Sequence, residues 1–204
     1  MLYLDLDGVL ADFTTGVSQE IHLFATGRKE IIGSKSAPRK IRNYLKVHGR
    51  SYKVHTESSL KEKEVKAMLY LVCSQKDFFL NLPKLETQLL EEVEMMGVPY
   101  EFLTAGIGKY SVEDKQEWCT TVLNSFNTCN VVVNRNDGNS TAQLKAEFCK
   151  SPTDILVDDN EKNILAWEKA GGIAVHWTGP ECLQELLNVL RQQAIDQSNP
   201  ENPF

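Results

Sequence analysis

The sequence predicts an α/β protein: a doubly wound parallel sheet with helices on both faces and a helical insertion after the first strand. Three observations lead there. Short apolar runs alternate with segments of helical period, which is the rhythm of a parallel sheet. Two of those runs end in paired acids, Asp5/Asp7 and Asp158-Asp159, at the strand ends where open α/β sheets bind ligands. Between about Thr14 and Asn81 no strand can be read, only two amphipathic helices.

The elements follow in order. Leu2-Tyr3-Leu4-Asp5-Leu6 reads as the first strand, and Gly8 allows the tight turn after it. Val17, Ile21 and Phe24 mark the first helix of the insertion, and Leu60, Val65, Met68, Leu69 and Val72 the second. Leu85, Leu89, Leu90 and Val93 form a stripe that stops at Gly97 and Pro99. Strand runs follow at Tyr100–Leu103, Asn130–Val133, Asp154–Val157 and, more weakly, Ile173–His176. Trp118, Val122 and Leu123 belong to one intervening helix; Ile164, Leu165 and Trp167 belong to another, closed by Gly171-Gly172. The expected organisation is an α/β core of residues 1–13 and 82–195, a helical cap of 14–81, and a loose tail from 196 to 204.

A chain of 204 residues holds one domain with a modest insertion. With 42% hydrophobic and 25% charged residues it has the composition of a globular protein with a real core. No apolar run approaches the ~20 residues of a spanning helix, and the acidic start lacks the basic and apolar regions of a targeting signal, so the expected location is cytoplasmic. Five widely spaced cysteines without a Cys-x-x-Cys pair fit idle thiols in a reducing compartment. The net charge of −6 averages two unlike regions. Residues 28–53 carry nine Lys/Arg against one acid, a local charge of +8, which leaves −14 for the rest.

Asp5 and Asp7 alternate along the strand onto one side, and Gly8 leaves both at its carboxyl end. Crowded carboxylates repel, and a cation, a shared proton or a basic partner relieves them. If the Asp158-Asp159 strand end lies alongside, the result is a set of hard oxygen ligands suited to Mg²⁺. The plainer readings are a solvated acidic turn for the first pair and a helix cap at Asp159 or Asn160 for the second.

Together, Asp5-Leu6-Asp7-Gly8-Val9-Leu10-Ala11-Asp12-Phe13, Thr104 after an apolar strand, an upstream lysine and Asp158-Asp159 resemble the four motifs of the haloacid dehalogenase (HAD) superfamily of phosphohydrolases. Within it, Ala11-Asp12-Phe13, Phe78-Phe79-Leu80-Asn81-Leu82, Lys115-Gln116-Glu117-Trp118 and Ile155–Asp159 are most similar to the 5'(3')-deoxyribonucleotidases. The resemblance implies a Rossmann-like HAD core, with the insertion standing where that family carries its cap. It implies Asp5 as nucleophile and Asp7 as acid and base. It also implies Mg²⁺ held by Asp5, the main-chain carbonyl of Asp7 and Asp159, with Asp158 assisting. Thr104 and Ala105 would bind phosphate together with a lysine, for which Lys145 is preferred and Lys150 is the alternative. Phe13, Phe78 and Phe79 would line a base pocket, with cap packing the other reading for Phe78 and Phe79. After the threonine, where the family often has a second hydroxyl and a proline, this chain has Ala105-Gly106.

The implied activity is removal of phosphate from nucleoside monophosphates, deoxy forms first. The basic run motivates an alternative, a phosphatase for terminal phosphates of nucleic acid or another polyanion, whose binding would be steeply salt-dependent. A non-catalytic HAD-fold binding module is the third reading. No membrane partner is expected.

Overall fold

In the computed structural model, residues 1–30, 43, 61–133 and 140–198 are described. Most of the basic segment 28–53, the start of the loop after Val133, and the last six residues lie outside them. Five strands, β1 (Leu2–Leu4), β2 (Tyr100–Gly106), β3 (Cys129–Val133), β4 (Ile155–Asp158) and β5 (Ile173–His176), form one sheet in the order β3-β2-β1-β4-β5. The pairs β1·β2, β1·β4 and β4·β5 are parallel, with Leu4 opposite Phe102 on one side and Val157 on the other. The order explains the composition of β1: a central strand covered on both faces must be apolar throughout, and all three of its residues are buried.

The chain divides into two compact units. The first comprises residues 1–10, 85–104 and 134–204. Its helices are α3 (Leu89–Met95), α5 (Thr141–Ala146), α6 (Glu161–Lys169) and α7 (Leu183–Ser198). Three of them turn an apolar stripe inward, with Leu89, Leu90 and Val93 buried on α3, Ile164 and Trp167 on α6, and Leu186, Leu187 and Leu190 on α7, while α5 buries Ala142 and Lys145. Trp167 meets Tyr3 edge-on at 5.4 Å between ring centroids and donates its indole N–H to the Asp154 carbonyl at 3.2 Å. Leu165, placed by its period with Ile164 and Trp167, is instead exposed: at about 100° per residue Ile164 and Trp167 lie close together on the helix, while Leu165 falls nearly opposite Trp167. The sequence reading did not predict α7.

The second unit comprises residues 11–84 and 105–133, so it holds the insertion together with the stretch after β2. Its helices are α1 (Phe13–Ala25), α2 (Glu62–Cys73) and α4 (Ser111–Thr121). Asp12 caps α1 by accepting the Thr15 N–H at 2.9 Å, and Val17 and Ile21 are buried as their period predicts. α4 buries Trp118, whose indole N–H donates to the Leu82 carbonyl at 2.9 Å, but it ends before Val122, which is exposed. Phe13, Phe78 and Phe79 pack on one another in this unit, with Phe78 and Phe79 at 4.9 Å between centroids. Among the described residues no helix is long and apolar enough to cross a membrane.

Candidate active site

The chain order places the site. From β1 it passes outward through β2 to β3, then returns to the other side of β1 for β4 and β5. The reversal lies between β1 and β4, and at such a switch point the loops leaving the two strands diverge and open a crevice at their carboxyl ends. Asp5 is the first residue after β1, Asp158 ends β4 and Asp159 follows it. Thr104 lies two residues beyond Phe102, the β2 partner of Leu4. Three adjacent parallel strands thus present these groups at one edge.

Their side chains converge. Asp5, Asp158 and Asp159 each bring a carboxylate oxygen within 4.8 Å of the others. Lys145, fully buried on α5, sends its ammonium between two of them, 2.9 Å from Asp5 Oδ2 and 2.6 Å from Asp158 Oδ2. The other Asp5 oxygen accepts the Leu6 N–H at 2.8 Å, so the carboxylate is held at both ends while each oxygen keeps a lone pair. Asp158 is saturated: it accepts from Lys145, from the Asn160 N–H at 2.9 Å and from the Asn163 amide at 2.8 and 2.9 Å. Its task in this arrangement is to hold Lys145. Lys150, the alternative lysine, is exposed, and its own N–H donates to Asp154.

The electrostatics follow from crowding. Burial, then the charge of Asp5, raises the Asp158 carboxyl to about 6 in spite of Lys145. Partial burial, then Asp5 and Asp158, raises Asp159 to about 7, and Asp7 adds to the same effect. For Lys145, burial opposes the charged form, but the two facing carboxylates outweigh it and its pKa is raised. Three acids around one ammonium leave an excess of negative charge on hard oxygen donors. That donor set fits a divalent cation such as Mg²⁺, with Asp5 and Asp159 carrying the open lone pairs.

Gly8 is required on two counts. Its φ is +78°, and a Cβ there would collide with the Asp159 carboxylate, which lies over it. The turn after β1 and the acid after β4 therefore fit only without a side chain at residue 8.

Thr104 is fully buried within β2, which runs on through Ala105 to Gly106. Phe78 and Phe79 are buried too, and Phe79 presents its ring to Phe13, Phe78 and the Lys115 ammonium, so their surface goes to packing. Phe13 is half-buried and keeps exposed surface. Asn163 is the site residue that the sequence reading missed. Its signal is position alone: five residues after Asp158, it lies in the first turn of α6, facing back to the strand end.

No family model matches the chain, and no curated protein matches it. Solved structures do. A haloacid dehalogenase-like hydrolase from Streptococcus pneumoniae superimposes with a TM-score of 0.51 at 12% identity, covering 94% of this chain and 96% of its own. A HAD-superfamily hydrolase of subfamily IA from Geobacter sulfurreducens gives 0.51 at 15% identity, over 93% and 95%. A second Streptococcus pneumoniae hydrolase gives 0.50 at 16% identity, over 92% and 97%. The chain has the HAD fold. At these identities the likeness is one of architecture. The acids gather at the carboxyl ends of β1 and β4, where the strand order reverses.

Proposed function

We propose that the chain is a Mg²⁺-dependent phosphomonoesterase that works through an aspartyl phosphate on Asp5, with nucleoside monophosphates, deoxy forms first, as substrates. One observation carries this reading: Asp5 is clamped between the Leu6 N–H and the buried Lys145 ammonium, beside Asp159, at the switch point of the sheet. A carboxylate fixed in this way keeps a lone pair for attack on phosphorus and loses little freedom in reaching it. Asp7 protonates the leaving oxygen and later takes a proton from the water that hydrolyses the acyl phosphate. Lys145 offsets charge gathering on the phosphoryl group while Asp158 and Asn163 hold it in place. Thr104 and Ala105 receive phosphoryl oxygens at the end of β2. When bound by Asp5, Asp159 and the Asp7 main-chain carbonyl, Mg²⁺ supplies the charge neutralisation that lets one anion approach another. Phe13, with exposed surface, is the aromatic available to a nucleobase.

The local charge of +8 in residues 28–53 favours a second reading, in which the phosphate removed ends a nucleic acid or another polyanion. Phosphate release from a panel of nucleoside monophosphates and from 5'- and 3'-phosphorylated oligonucleotides, with Mg²⁺ and at two salt concentrations, separates the two. The first reading expects turnover of mononucleotides with weak salt dependence. Turnover confined to oligonucleotides and lost at high salt selects the second. Release from neither rejects both and leaves a non-catalytic binding role for the fold.

A further inference from the structure

Lys115 lies outside the acid cluster, yet its side chain is as deeply enclosed as that of Lys145, with only 1% of its surface exposed. A lysine is almost never buried so fully unless its charge is paired or put to use. Its ammonium donates to the Ala105 carbonyl at 2.8 Å and lies 4.7 Å from the centroid of the Phe79 ring. The seat is fixed by its neighbours on α4. Asp114 accepts the Phe79 N–H, and Trp118 donates to the Leu82 carbonyl at 2.9 Å, so one helix holds the 79–82 segment on either side of Lys115.

Ala105 follows Thr104 on β2, and Gly106 ends the strand. The side chains here add little stiffness, since Ala has only a methyl and Gly none, so the last two residues of β2 are held by their contacts. The peptide joining Ala105 to Gly106 is planar, so whatever fixes its carbonyl also fixes the direction of the Gly106 N–H on its opposite edge. A hydrogen bond from an ammonium is stronger than one from a neutral donor and suits that task.

We propose that Lys115 is a positioning residue for the proposed phosphatase reaction, one that clamps the Ala105 carbonyl and thereby sets the end of β2 where Thr104 and Ala105 receive the phosphoryl group. The proposal rests on the phosphatase reading. It assigns Lys115 no contact with substrate; its effect passes through the backbone. A displacement of about 1 Å in such a segment costs up to ~100-fold in rate.

The test compares wild type with Lys115→Met, which keeps the length and apolar stem, and Lys115→Arg, which restores a cationic donor. Amide exchange at Gly106 and Ile107, the thermal midpoint, and kcat and KM for an aryl phosphate with Mg²⁺ are measured on each. The expected result is a folded Met variant with faster exchange at Gly106, kcat lowered roughly 10- to 100-fold and KM changed far less, with Arg recovering part of the loss. Unchanged exchange overturns the clamp, and faster exchange with kcat within about twofold of wild type overturns its role in the reaction. If Lys115→Met does not fold, Phe79→Leu removes the ring that seats the ammonium and loosens its hold on the Ala105 carbonyl; faster exchange at Gly106 with a severalfold lower kcat is then expected, and unchanged exchange and kcat count against the proposal. Should wild type release no phosphate, the phosphatase reading and with it the catalytic role fail, while the exchange data still judge the clamp.

Discussion

Lys145 decides the character of the site. Two carboxylates at 2.9 and 2.6 Å share a single ammonium inside the protein, so its removal leaves uncompensated buried charge. Lys145→Met should lower stability by about 3–5 kcal/mol at neutral pH. Urea unfolding checks this, and a loss below about 1 kcal/mol would mean the acids are solvated. The same crowding fixes a pH dependence. Burial and crowding push Asp159 up to about 7 and Asp158 up to about 6 in the folded chain, above the ordinary carboxylate value of 3.8. The folded state therefore binds protons more tightly, and the stabilisation it draws from them is complete below about pH 3.8 and lost as pH rises through 6 and 7. A bound divalent cation favours the charged form and removes that loss. The gap in melting temperature between Mg²⁺ and chelator should thus widen from pH 5.5 to pH 8, as thermal unfolding at both values will read; a gap that narrows would mean that Asp158 and Asp159 do not bind the cation in competition with protons.

At the scale of elements, the site depends on how strands and short helices end. Of the helices at the site, α5 is the shortest, six residues that carry Lys145, and it relies on its cap: Ser140 accepts the Gln143 N–H at 3.3 Å while the Gln143 side chain accepts the Ser140 N–H at 2.7 Å. Ser140→Ala should cost about 1 kcal/mol in denaturant unfolding, whereas a neutral result would mean that the Lys145 ion pairs alone hold the helix. The strands were legible because β1, the first three residues of β4 and the middle of β2 are apolar runs, as a doubly covered sheet demands. Gly8 was legible as a turn, but not as the gap into which the Asp159 carboxylate fits, because that contact joins residues distant in sequence. α7 carries helical period at Leu183, Leu186, Leu187 and Leu190, but Gln and Asn fill its other face and a proline-containing tail follows, so its composition hides it.

For the molecule as a whole, the acid pairs at two strand ends pointed to a parallel sheet, since the carboxyl ends of neighbouring strands lie at one edge only if the strands run the same way. Spacing could not reveal that Asp158 is filled by Asn163 and Lys145, nor that Phe79 seats Lys115, since both depend on packing between separate elements. Metal binding joins these scales. A cation taken up only by the folded chain stabilises it by about 2.7 kcal/mol at 100 times its dissociation constant. The central claim, that Asp5 is the nucleophile of a metal-assisted phosphatase, is tested most directly by phosphate release from an aryl phosphate with Mg²⁺, wild type against Asp5→Asn. The account predicts steady release by wild type and a loss of about three orders of magnitude or more in a folded Asp5→Asn variant. Equal release by the two proteins, or none by wild type, would contradict it.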